Sequence, residues 1–247
     1  MGGEAQPRKR QKVTKGKAAT TTAPATTSTP ASSGAVDGST PPLTPKVEVG
    51  PTREEPTSLT VLLPTYNGLA VPQSQVTLMQ VAGMVRKPYR LLVHEASSIP
   101  RGRQACLQRI RDGEEKGATQ AWVLWLDNDI AVSDAQAVVD ALHHAWETGS
   151  GWTANYSMAN GVSNMCKSRS DPPFEHYTDQ ELADLEEWAP IPFCGFGFLY
   201  HRLDLSYMFH AGPLGEDYYY WSEHPNEYPG FAKNIHLGHK KLVTLHS

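Results

Sequence analysis

"WVLWLDNDIAV", Trp122 to Val132, decides how the rest of the chain is read. Apolar residues run unbroken from Ala121 to Leu126. Such a run suits a strand buried on both faces, as in a parallel sheet covered by helices. It ends in Asp127, Asn128 and Asp129 before turning apolar again at Ile130. Carboxylates are costly beside a core unless they meet a partner or a ligand. The stretch therefore predicts a buried strand that delivers acidic oxygens to a ligand edge.

Elements of the same kind flank it. "SLTVLLPTYNG" (58–68) reads as a strand stopped by Pro64 and a loop through Thr65, Tyr66, Asn67 and Gly68. "QSQVTLMQVAGMVR" (73–86) has helical spacing, with Val76, Met79, Val81, Ala82 and Val85 as its expected inner face. "YRLLVHEASS" (89–98) reads as a strand ending at His94 and Glu95. A helix follows from Pro100 through Ala105, Leu107 and Ile110. After the Asp127–Asp129 turn, Ser133 is the expected cap of a helix that stops at Gly149. Strand and helix alternate three times, which predicts an α/β domain with a mainly parallel sheet and helices on both faces. In such sheets ligands bind beyond the carboxyl ends of the strands. The ends at Thr65–Asn67, His94–Glu95 and Asp127–Asp129 should share one rim.

The second half is less regular. "TDQELADLEEW" reads as a short acidic helix capped by Thr178. "PFCGFGFLYHR" (192–202) carries two glycines in an apolar setting, the mark of close packing by a ligand or backbone. "GEDYYYWSEH" (215–224) reads as a turn into a helix, and "IHLGHKKLVTL" (235–245) as a last short strand with two histidines.

Composition divides the chain. Residues 1–57 are mostly Thr, Ala, Pro, Ser, Gly and Lys and cannot bury enough apolar surface to offset ordering, so a disordered tail is expected. The folded domain should span 58–247. Of the chain's 22 Lys/Arg and 26 Asp/Glu, the tail holds eight and five, a net +3, leaving the domain 14 and 21, a net −7. An acidic domain argues against a broad nucleic-acid surface on the domain. The tail's "PRKRQKVTKGK" (7–17) reads as a nuclear-localisation-like signal, a nucleic-acid tether or a solvated charge run. Cys106, Cys166 and Cys194 form no CxxC pair, so neither a zinc cluster nor a disulfide framework is expected. No run reaches the ~20 apolar residues of a membrane span, and no secretory signal is read at the N-terminus. The expectation is a soluble protein of the cytoplasm, with the basic cluster leaving a nuclear location open.

Three groups could carry chemistry. Asp127 and Asp129, two residues apart after a strand, can share a hard divalent cation, or simply form a solvated turn. Glu216 and Asp217 can cap a helix, or act as general base and acceptor holder. His236 and His239 can be surface residues, or one can complete a mixed oxygen–nitrogen metal site.

The ordered set is more specific than its parts. The domain resembles the GT-A glycosyltransferases, the Rossmann-like, nucleotide-sugar-dependent fold, close to the family 2 type. "TVLLPTYNG" is similar to their opening strand and nucleotide loop, and "LLVHEASS" to the second strand. "IPRGRQACLQRI" is similar to their Arg-containing segment, "WLDNDI" to the metal motif and "FCGFGFLYHR" to the glycine segment near the donor sugar. "GEDYYY" is similar to the acceptor-side acid motif, and "HLGHK" to the late metal histidine. The resemblance covers Ser58 to about Leu245. It implies metal binding (Mn²⁺ or Mg²⁺) by Asp129 and His239, with His236 as alternate, and ribose or metal-water contact by Asp127. It implies a base at Asp217 and an acceptor holder at Glu216. Thr65, Tyr66, Asn67, Glu95, Arg101, Arg103 and Asn128 would line the nucleotide-sugar site, UDP-sugar foremost. Gln104 stands where Asn is frequent, which leaves the nucleotide base open. The Q-x-x-R-W motif of processive synthases is missing, so single-sugar transfer is expected, and Asp217, where some retaining relatives carry Asn, implies inversion.

Two rivals remain. A nucleotidyltransferase or cytidylyltransferase would need a Gly-rich basic loop after the first strand, and "PTYNGLAVPQ" has one glycine and no basic residue. A catalytically dead nucleotide-sugar-binding module is opposed by the intact Asp127, Asp129, Asp217 and His239. The acceptor stays open between a glycan and a hydroxymethylated DNA base. The latter would suit a viral or phage enzyme whose basic tail tethers DNA.

Overall fold

The computed structural model describes residues 55–65, 70–113, 118–158, 160–170 and 172–239. Of the expected disordered tail (1–57), residues 1–54 fall outside these residues. So do Tyr66 and Asn67. In chain order the elements are β1 (Leu59–Thr65), α1 (Pro72–Val85), β2 (Tyr89–Glu95), α2 (Ile99–Arg111), β3 (Gln120–Leu126), β4 (Ile130–Val132), α3 (Ala135–Thr148), β5 (Trp152–Thr153), β6 (Met165–Cys166), α4 (Asp179–Asp184), β7 (Phe193–Cys194), β8 (Phe198–Asp204), α5 (Glu216–Glu223), β9 (Gly230–Phe231) and β10 (Leu237–His239).

Six strands form the central sheet in the order β2-β1-β3-β8-β5-β9. β1 is parallel to β2 and β3, and β5 to β9. β8 alone runs against its neighbours β3 and β5. The domain is thus α/β with a mostly parallel sheet. From β1 the chain steps to β2 on one side and returns to β3 on the other. The switch point lies between β1 and β3, where such sheets open a ligand crevice.

Period-2 alternation sends the strand side chains to two cores. Leu59, Val61 and Leu63 of β1 and Leu124 and Leu126 of β3 pack under α1 and α3. Leu62, Val123 and Trp125 face the other way, with Cys106, Leu107 and Ile110 of α2. Helices therefore cover both faces, which is why "WVLWL" had to be continuously apolar. Among the described residues no helix is long and apolar enough to cross a membrane.

Three local expectations need correction. β1 runs through Pro64 to Thr65. Pro64 lies past the recorded β1–β3 partners, at a strand end where a missing N–H is tolerated. The cap of α3 is Asp134, whose carboxylate accepts from Ala137 N at 3.0 Å, not Ser133. The helix does stop at Gly149, whose φ of +74° suits glycine.

The inner face of α1 holds Val81 and Ala82 as expected, but it is otherwise different. Val76 is 55% and Met79 64% exposed, while Ser74 and Thr77 are buried. Short β4 has its backbone groups to satisfy, and α1 does so with side chains. Ser74 Oγ donates to Ile130 O and accepts from Val132 N at 3.2 Å. Thr77 Oγ1 donates to Val132 O at 2.6 Å. These bonds turn the polar residues inward and fasten the strand that follows Asp127–Asp129. Ser74→Ala strands a buried amide and carbonyl, at a cost of about 1–3 kcal/mol. Urea unfolding should show a lower midpoint with an unchanged slope.

Candidate active site

The three strand ends do meet on one rim. Register pairs Thr65 with Glu95, and Ala96 N donates to Thr65 O at 3.0 Å. Asn128 Nδ2 donates to Thr65 Oγ1 at 3.0 Å, joining the β1 end to the acidic turn. Thr65 itself is buried, so it braces the rim. Glu95 and Arg101 are exposed.

Arg103 is buried and points into the site. Its Nη2 lies 3.7 Å from Asp127 Oδ1 and 3.8 Å from Asp217 Oδ1. Its Nε donates to Glu216 Oε1 at 3.1 Å, and its Nη1 to Phe196 O at 3.4 Å. The guanidinium also lies over the Trp125 and Phe196 rings, at 5.3 and 5.2 Å. Burial works against its charge, but Asp217, Asp127 and Glu216 together more than offset this and raise its pKa. Sequence reading placed Arg103 against a nucleotide. Here it gathers carboxylates from the end of β3 and the start of α5.

Among the described residues Arg103 faces three carboxylates, and Asp217 is the one most perturbed. Burial pushes its carboxyl up from 3.8 to about 7; Arg103 lowers it, while Glu216 and Asp127 add to the rise. Oδ2 accepts from Phe196 N at 3.3 Å, whereas Oδ1 is buried with no hydrogen-bond donor among the described residues. A carboxyl poised near neutral pH suits general-base work.

The glycine segment completes the wall. Asp127 N donates to Gly197 O at 2.8 Å, which carries the β3–β8 pairing on beyond Leu126 and Phe198. Tyr156, which sequence reading passed over, packs its hydroxyl against both glycines. A Cβ at Gly195 would stand 2.7 Å from that oxygen, and one at Gly197 2.4 Å. The close neighbour of the glycines is thus a phenol of this chain. The only signal in the sequence was the glycine spacing itself, which marks a close approach without naming what approaches.

α5 is held at both ends. At its far end Arg169 donates to the carbonyls of Trp221 (3.1 Å), His224 (2.8 Å), Glu227 and Pro192. A buried relay fixes its middle. Trp125 Nε1, a donor only, gives its proton to His201 Nε2 at 3.1 Å. The His201 proton therefore sits on Nδ1, 3.3 Å from the Tyr220 hydroxyl, which donates to Glu227 Oε2 at 3.1 Å. Burial holds the His201 pKa down to about 3, so the ring is neutral.

The metal expectation rests on the turn and β10. β10 pairs antiparallel with β4, and His239 stands opposite Ile130, the residue after Asp129. The histidine backbone is therefore beside the acidic turn; its side chain lies outside the described atoms. His236 is exposed. Among the described residues no group of three His, Cys, Asp or Glu is arranged to hold a metal. Carboxylate oxygens on one turn with an imidazole strand alongside are a donor type that Mn²⁺ accepts. Two cavities, of about 500 and 280 Å³, lie at the far end of the sheet around Gln120, and neither includes a carboxylate of the Arg103 cluster.

Compared with known proteins, the chain matches no family profile and no curated protein.

The raised Asp217 carboxyl has a consequence for stability. Between pH 3.8 and about 7 the folded state keeps a proton that the unfolded state releases, so this group makes stability fall as pH rises across that window. Asp217→Asn removes the cost of burying the charge. Its melting temperature at pH 8 should exceed wild type by about 2–8 °C, as ~1–2 kcal/mol gives in a domain of this size. The gain should vanish near pH 4.

Proposed function

We propose that the domain is a metal-dependent, inverting glycosyltransferase of the GT-A type that moves one sugar from a nucleotide-diphosphate sugar to an acceptor hydroxyl. The observation that carries this reading is the gathering of Asp127, Glu216 and Asp217 around buried Arg103, at the carboxyl edge beside the β1–β3 switch point. The order of the motifs along the chain supports it as well.

In this mechanism Asp217 takes the proton from the acceptor hydroxyl as that oxygen attacks the anomeric carbon. A base with a pKa near 7 does this efficiently at neutral pH. Arg103 holds Glu216, which orients the acceptor, and fixes Asp217 relative to Asp127. Asn128 and exposed Glu95 and Arg101 would line the nucleotide edge, braced by buried Thr65, and the motif order assigns Tyr66 and Asn67 to the same nucleotide role. Asp129 and His239 would hold Mn²⁺ or Mg²⁺, with Asp127 on its water or the ribose. The ion would offset the charge of the departing nucleoside diphosphate. The acceptor is proposed to be a glycan or a hydroxymethylated DNA base, the latter tethered by the basic residues of Arg8 to Lys17.

A screen of nucleotide sugars with Mn²⁺, read as released nucleoside diphosphate, tests the reading; no release with any donor would sink it. Asp217→Asn should cut turnover by roughly 10²–10⁴ with donor binding near normal. In wild type kcat/KM should rise with pH through about 7, and the variant should lack that limb. Asp129→Ala should abolish metal-dependent binding of UDP in calorimetry. Deleting residues 1–57 should weaken DNA binding at low salt and leave little difference at high salt.

A further inference from the structure

Tyr156 is fixed from two sides. Its backbone N–H donates to Asn164 Oδ1 at 2.9 Å, and its carbonyl accepts from Asn164 N at 3.0 Å. Asn164 O in turn accepts from Gly195 N at 2.9 Å. At the other end the phenol oxygen accepts from Gly197 N at 2.9 Å. That bond uses the oxygen as acceptor only. Among the described residues nothing accepts the phenol's own proton, although the hydroxyl sits inside the wall of the site.

Its surroundings define what could. The point where a Gly197 Cβ would stand is 2.4 Å from the phenol oxygen and 2.9 Å from Asp127 Oδ2. The Gly195 point is 2.7 Å from the phenol and 3.4 Å from Asp217 Oδ2. The hydroxyl therefore lies near Asp127, which accepts protons, and near Asp217, which accepts them once it is ionised. A phosphate placed here would be repelled by both. A sugar hydroxyl fits, because it is donor and acceptor at once. It can give its proton to a carboxylate and take one from the phenol. Leaving a buried donor unused costs about 1–3 kcal/mol, so two glycines and an asparagine that hold it there have a cost to offset.

We propose that Tyr156 is a specificity-determining residue that donates its phenol proton to a hydroxyl of the transferred sugar, held between Asp127 and Asp217. The inference rests on the transferase reading and adds the residue that recognises the neutral sugar rather than the nucleotide.

Tyr156→Phe removes the hydroxyl and keeps the ring. Calorimetry with Mn²⁺ would compare UDP-, GDP- and dTDP-glucose and the bare nucleoside diphosphates on wild type and variant. The variant should bind the nucleoside diphosphate as wild type does and the sugar nucleotide about 5–30-fold more weakly, the loss of one hydrogen bond. Equal binding of the sugar nucleotide by both proteins overturns the inference and leaves the transferase reading intact. Failure of wild type to bind any of the sugar nucleotides overturns both. If the variant does not fold, monodeoxy-glucose donors on wild type decide. One ring position losing about 5–30-fold supports the inference, and no position doing so overturns it. With a folded variant, the penalties of the variant and of that deoxy donor should not add.

Discussion

A single buried guanidinium organises the site. Arg103 reaches Asp127 on the turn after β3 and Glu216 and Asp217 at the start of α5, and its plane is set by the Trp125 and Phe196 rings. Without it three carboxylates from distant parts of the chain would repel one another in a partly buried space. With it, among the described residues, they remain one short of balance in charge even if Asp217 is protonated, and two short if it is not. Burial first, and that surplus second, hold the Asp217 carboxyl near neutral pH, and the surplus leaves the site attractive to a cation.

The sheet brings these pieces together. Because β8 runs against β3, its beginning lies beside the end of β3, and Gly195–Gly197 meets Asp127 directly. A parallel strand in that place would have brought the other end of β8 there. The short β4 and β10 then return the chain alongside the acidic turn, with His239 opposite Ile130. α5 is clamped by Arg103 at its first turn and by Arg169 at its last, and the Trp125–His201–Tyr220–Glu227 relay pins it to β3 and β8. Rigid support of this kind is what a reacting group needs, since small displacements of a base are costly in rate.

The same arrangement exposes a conflict between stability and use. Asp217 would be more comfortable as an amide, and the Tyr156 phenol keeps its own proton unused while it serves Gly197 N as acceptor. Groups kept against such costs are concentrated where ligands bind. Asp217 Oδ1 has Arg103 Nη2 at 3.8 Å and is otherwise buried without a hydrogen-bond donor among the described residues.

The sequence by itself determined the α/β class, the strands β1 to β3 and the rim they share. Continuous apolar runs, helical spacing and turn residues act locally, and "WVLWLDND" carried both the buried strand and its acidic end. It also determined which residue types could do chemistry there. The inner face of α1 was legible only at Val81 and Ala82, because Ser74 and Thr77 are drawn inward by the backbone needs of a strand some 56 residues away. Nor was the role of Arg103, whose partners lie as far off as 113 residues. Tyr156 and its two glycines belong to the same kind. Only the tertiary fold decides which buried donor meets which acceptor, because hydrogen bonds and ion pairs depend on proximity in space, and spacing along the chain does not encode it.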